Sequence, residues 1–112
     1  MNKYLKNIDF ETVQDLSSLV SYQQGQVISR TLVQNKHISM TLFSFDQGEE
    51  ISSHSSKGDA LIYVFEGTAK ITIGENDYEV EGQKSIVMPS GLPHAVYAKT
   101  PFKMLLVVVF PE

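Results

Sequence analysis

HSSKGDALIYVFEG, residues His54 to Gly67, sets a histidine among small polar residues, then an acid, then an apolar run closed by Glu66-Gly67. The run Ala60 to Phe65 is short and rich in β-branched and aromatic residues, and it is bounded by turn formers, which is strand grammar. Side chains along a strand alternate between its two faces. His54 and Ser56 therefore share a face if the strand begins early, whereas Asp59 and Ala60 point opposite ways. The stretch thus contains one residue of metal-ligating type before the strand, His54, and one acid at its start, Asp59.

Working outward, most of the remaining chain reads as strand. VISRTLV (27–33) and HISMTLFSF (37–45) flank Gln34-Asn35-Lys36 as a hairpin with a three-residue loop. ALIYVF (60–65) and AKITIG (69–74) flank Glu66-Gly67-Thr68. YEVE (78–81), SIVM (85–88), AVYA (95–98) and FKMLLVVVF (102–110) follow, separated by Asn, Gly and Pro turns. Eight or nine short strands at this spacing predict a sandwich or barrel. AKITI alternates, with one wet face and one dry. MLLVVVF does not, so it is expected to be buried on both faces, or on one face and at a subunit contact. Val13, Leu16, Leu19 and Val20 recur near helical spacing and predict a helix over Phe10 to Val20, with Asp9 and Thr12 serving its start. The domain reading is an N-terminal segment, 1–24, packing on or between barrels, followed by one barrel, 25–112.

Composition narrows the chemistry. The 112 residues fit one domain, with 42% hydrophobic and 20% charged residues, a globular balance. A net charge of −4 without a basic run argues against nucleic acid. There is no cysteine, so disulfides, thiolate metal sites and cysteine nucleophiles are excluded. MNKYLKNIDFETVQDL lacks the apolar core of a signal peptide. The longest apolar run, Met104 to Phe110, is too short to span a bilayer. The expected setting is cytoplasmic, with no membrane partner. No phosphate-cradling glycine loop or G-x-S-x-G nucleophile turn is present.

Two motifs now carry a family resemblance. Gly48, five residues, His54 and a closing Gly67 resemble the first motif of the cupins. Pro89-Ser90-Gly91-Leu92-Pro93-His94 resembles the heart of their second, and TAKITIGENDYEVEG has the length of the strand pair between them. The resemblance covers about residues 25 to 110. It implies an all-β double-stranded β-helix, a jelly-roll barrel of the RmlC-like type, here with a short N-terminal helical segment, and a homodimer. It also implies a metal held by two histidines and a glutamate of the first motif and a histidine of the second. His54 and His94 match that set; Ser56 and Ala60 stand where the second histidine and the glutamate would be. The second motif's glycine is displaced as well. Either Gln83 takes its place or the turn holds one residue more.

The metal candidates are thus His54 and His94, for Fe, Mn, Zn or Ni. Two imidazoles alone hold a transition metal weakly, because such sites usually draw three or more protein ligands. The leading reading is a small-molecule-binding barrel whose pocket is anchored by His54 and His94 and lined by Ser56, Tyr63 and Met88. The alternative is a metal-dependent enzyme of oxygenase or isomerase type with a reduced histidine site. The bland reading of the two histidines is a hydrogen-bonded interior pair. For His37 it is a surface or hairpin position.

Overall fold

The computed structural model describes residues 2–111. Nine strands build two facing sheets: β1 Val27–Gln34, β2 Ile38–Phe45, β3 Glu50–His54, β4 Asp59–Glu66, β5 Thr68–Ile73, β6 Asn76–Glu81, β7 Ser85–Met88, β8 His94–Ala98 and β9 Phe102–Val109. One sheet has the order β1-β2-β9-β4-β7 and the other β3-β8-β5-β6. Every pairing is antiparallel. This is the expected all-β jelly-roll barrel.

β9 lies between β2 and β4, with Leu106 opposite both Thr41 and Ile62. That register sends Phe102, Met104 and Val108 inward, where they are buried with Phe45, Ile62, Val64 and Ile71. The Phe45 and Phe102 rings stack at 4.5 Å. Leu105 points outward into a second cluster, formed by Val20, Leu32 and Leu42 with Ile8, Leu16 and Leu19. The apolar run is therefore double-sided, but only part of its outer face is covered. Val109 is 56% exposed.

The helix expected over Phe10 to Val20 is reduced to a single 3-10 turn, Leu16–Leu19, capped by the Asp15 side chain on the Ser17 N–H. Thr12, Val13, Ser17, Ser18 and Val20 are middling or poor helix formers. Tertiary contacts offer the backbone something better. Lys6 N–H donates to the Leu32 carbonyl, Arg30 donates to the Asn7 carbonyl, and the Lys103 ammonium donates to the Ser17 carbonyl. Leu16, Leu19 and Val20 reach the sheet from this one turn, and Val13 points wholly into solvent.

Two turns fix the strand order. At Gly67, with φ of +81°, a Cβ would overlap the Pro101 carbonyl and Phe102, so the β4–β5 corner crosses beneath β9 only without a side chain. In the turn after β6, Lys84 N–H donates to the Glu81 carbonyl, and Gln83 has φ of +69°. Gln83 thus occupies the left-handed position where glycine is the usual choice, which resolves the displaced glycine of the second motif. Chemical denaturation checks both points. Gln83→Gly gains about 0.5 kcal/mol, the relieved left-handed strain less the added unfolded-chain entropy. Gly67→Ala loses about 3 kcal/mol or more, through overpacking added to strain.

Candidate functional site

Pairing of β3 with β8 sets His54 directly opposite His94, after an irregularity in the ladder between Ile51 and His54. On its other side His94 faces Ile73 of β5. The two imidazoles meet edge to face, with ring centroids 4.4 Å apart and planes at 69°.

Their surroundings differ. His54 is exposed, and its Nδ1 lies 3.0 Å from the Ser52 carbonyl oxygen. A carbonyl only accepts, so Nδ1 carries the hydrogen and Nε2 of the neutral ring is left as a free acceptor. His94 is buried, at 4% exposure, and its Nδ1 has no hydrogen-bond partner among the described residues. Burial holds the His94 pKa below the ordinary imidazole range. The neighbouring His54 lowers it further, and the Leu92 carbonyl opposes the shift. His94 is accordingly neutral at pH 7.

The loops bearing the two motifs are bonded to each other. Ser90 N–H donates to Asp59 Oδ1 at 2.9 Å, Ser90 Oγ donates to the Lys57 carbonyl at 2.8 Å, and Gly91 N–H donates to the Ser56 carbonyl at 2.9 Å. Gly74 N–H donates to the Pro93 carbonyl at 2.8 Å and holds the residue before His94. Asp59 is thus a clamp between loops, on the face opposite Ala60. Sequence reading placed it outside the barrel but did not foresee this role. Nothing in the spacing of Asp59 and Ser90, 31 residues apart, signals the contact.

Of the expected site residues, the structure brings His54 and His94 together. Ser56 stays in the adjoining loop, where its Oγ accepts from Gly58 N–H at 3.1 Å. Met88 is buried on the inner face, opposite Ala60 in the β4–β7 ladder. Tyr63 lies on the other face of β4. Ile62 and Val64 point inward, while the Tyr63 ring packs on Phe65 at 5.3 Å, so alternation takes it away from the histidines. His37 sits in the β1–β2 turn, where its N–H donates to Asn35 Oδ1.

The donor set does not fit a three-ligand transition-metal centre. Among the described residues no three His, Asp or Glu side chains converge. Where the resemblance implies a carboxylate, the Ala60 methyl is packed at 2% exposure in the core cluster that includes Met88 and Val108. The larger surface concavities lie elsewhere. One of about 510 Å³ runs along the seam between β6 and β7, and one of about 350 Å³ lies beside Lys57 and Phe110; neither is lined by His54 or His94. What the pair offers is a compact polar spot at the edge of an apolar interior.

Comparison with known proteins agrees with this architecture. The cupin domain family matches residues 41–110, and the chain belongs to that family. The chain is 49% identical to a conserved protein of unknown function from Streptococcus pyogenes, over 99% of this chain and 97% of that one, with a TM-score of 0.98. It is 32% identical to a cupin superfamily protein from Desulfitobacterium hafniense, over 96% and 98% of the two chains, with a TM-score of 0.91. A salicylate 1,2-dioxygenase from Pseudoaminobacter salicylatoxidans shares the fold alone, at 18% identity and a TM-score of 0.68, over 74% of this chain and 26% of that one. No curated protein matches the chain in sequence.

A lowered histidine pKa has a definite linkage sign. Below the ordinary imidazole pKa the unfolded chain binds a proton that folded His94 refuses, so the stability His94 lends is full above about pH 6.5 and is lost as pH falls. Denaturation between pH 7.5 and 5 is expected to show a falling stability in the wild type and a flatter profile in His94→Gln. Equal slopes would refute the assignment.

Proposed function

We propose that this cupin barrel binds a small organic molecule at its mouth, with His54 and His94 as the polar anchors and no metal between them. The observation that carries this reading is the pair itself, an exposed imidazole of His54 set edge to face, at 4.4 Å, against the buried imidazole of His94 at the edge of an apolar interior. His54 adds a fixed acceptor at Nε2, because Ser52 holds its other nitrogen. Apolar residues behind the pair, Ile73 and Val96 among them, suit a ligand with a polar head and a short apolar body. A metal is disfavoured by the donor set. Imidazole ligands supply no negative charge, and Asp59, at the start of the strand after His54, accepts from Ser90 N–H.

Elemental analysis and imidazole spectra test the proposal together. The chain has three histidines, so a long-range 1H–15N spectrum resolves the site pair against His37 as an internal control. We expect metal at background in the wild type and in a His54→Ala, His94→Ala double variant. We also expect at least one member of a small polar-headed fragment set to shift the His54 and His94 signals together while leaving His37 in place. Near-stoichiometric Fe, Mn, Zn or Ni, lost in the double variant, would replace this reading with a metal-dependent one. Fragments that never move the pair would remove the anchor role.

A further inference from the structure

We propose that the loop from Ser55 to Gly58, with His54 at its root, is a lid over His94, and that Ser90 and Asp59 form the latch that sets how often it opens. The lid rests on the reading of the pair as the binding site, and it determines how a ligand gains the second anchor. His54 is exposed, whereas His94 is 4% exposed and lies against the His54 ring. A molecule that touches both imidazoles must first displace what covers the buried one.

The two strands beside β8 are held with unequal firmness. β5 pairs with β8 on one side and with β6 on the other, and its Ala69 and Ile71 are fully buried. β3 is the edge strand of the same sheet, and its ladder with β8 breaks between Ile51 and His54. In EISSHSSKGD, residues 50–59, Ile51 is the one large apolar side chain, and it is half-buried. Hydrophobic burial therefore does little to hold His54 and its loop, and hydrogen bonds must hold them instead. Segments of this kind open locally at a fraction of the free energy of global unfolding. The side of His94 that opens is thus the β3 side.

The bonds that keep it shut come from one place. Among the described residues, those that tie loop 55–58 to a distant segment end on Ser90 or Gly91. Ser90 Oγ donates to the Lys57 carbonyl at 2.8 Å, and Gly91 N–H donates to the Ser56 carbonyl at 2.9 Å. Asp59 Oδ1 accepts from Ser90 N–H at 2.9 Å and keeps the latch in line. At Gly58 the backbone presses on β9, where a Cβ would overlap the Val109 carbonyl and the Val108 side chain. The lid runs from the broken ladder at His54 to this packed glycine, and the Ser90-Gly91 step fastens the span between. Ser90 and Asp59 are both exposed, so substituting them leaves the core intact.

Carbethoxylation by diethyl pyrocarbonate, read at each histidine by peptide mass spectrometry on the ligand-free full chain, tests the lid. His37 and His54 are exposed, while His94 reacts only when the loop swings away. In the wild type His94 is expected to react slowest of the three. Ser90→Ala and Asp59→Ala each remove one latch bond. Each is expected to speed the His94 reaction about fivefold, the worth of one hydrogen bond, with the His37 rate and the amide exchange of Ile62 and Ile71 unchanged. Ser90→Thr keeps the hydroxyl and Asp59→Asn keeps the Oδ1 acceptor, so both are expected to react as the wild type does. A His94 rate unmoved in both alanine variants, or one that rises only in step with core amide exchange, would overturn the lid. Since no ligand is used, fragments that never shift the histidine pair would defeat the binding reading and leave this result standing.

Discussion

The ladder between β4 and β9 determines which side chains are inside this barrel. Ala60 pairs with Val108, Ile62 with Leu106 and Val64 with Met104, and these point into the core. Because side chains alternate with a period of two, a slip of one residue would send Asp59, Leu61 and Tyr63 inward and expel the buried set. The slip is resisted from both sides. β9 is locked to β2 along its whole length, and Gly67 pins the end of β4 against Pro101 and Phe102. With β4 fixed, Asp59 must face the loop that carries Ser90, and Ala60 must face the interior. The character of the site follows from that register: an alanine methyl lies inside, and the one nearby acid lies outside.

The histidine pair is a consequence of the other sheet. β3 and β8 meet only through a broken ladder, yet its last step sets His54 against His94. Loop-to-loop bonds from Ser90, Gly91 and Gly74 then hold the motif segments in place without involving either ring. The imidazoles are thus positioned by backbone and small polar residues, and the Ser52 carbonyl orients the His54 ring. Burial, with His54 beside it, holds the His94 imidazole in its neutral form. A preorganised pair of imidazoles beside apolar walls, with no carboxylate between them, is suited to recognising hydrogen-bonding groups and less suited to holding a cation.

The strands with β-branched runs were readable because burial on one face imposes alternation, as in AKITI, and burial on two faces removes it, as in MLLVVVF. β3 escaped as a separate strand because Glu50-Ile51-Ser52-Ser53-His54 contains one apolar residue and lies mostly exposed. The N-terminal helical segment is present but shortened to one 3-10 turn, Leu16–Leu19, for the opposite reason. Its spacing was real, but Leu16, Leu19 and Val20 are drawn to the sheet surface and need only this turn to reach it. At the site, motif spacing located both histidines, and alternation within β4 placed Ala60 and Asp59 on opposite faces. Tyr63 falls on the outer face by that same alternation, counted from Ala60. The unpartnered nitrogen of His94 and the Asp59–Ser90 clamp were not legible, since each depends on contacts between segments distant in the chain.

The N-terminal segment shows how a barrel of this size manages an apolar outer face. A five-stranded sheet with apolar residues on both sides of β4 and β9 needs cover beyond its partner sheet. Here the cover is an irregular strap fastened at several points. Tyr22 donates to Glu66 at 2.7 Å, the Lys103 ammonium sits 5.0 Å from the centre of the Tyr22 ring, and Arg30 and Asn7 join the strap to β1. Burial and the Glu66 carboxylate both raise the Tyr22 pKa, so the phenol remains a donor and this bond persists throughout the neutral range. A strap of this kind covers one half of the face at the cost of ordering a loop that buries little of itself. That cost is offset by the burial of Leu16, Leu19 and Val20 against Leu32, Leu42 and Leu105, and by the bonds that fasten the segment to β1 and β9.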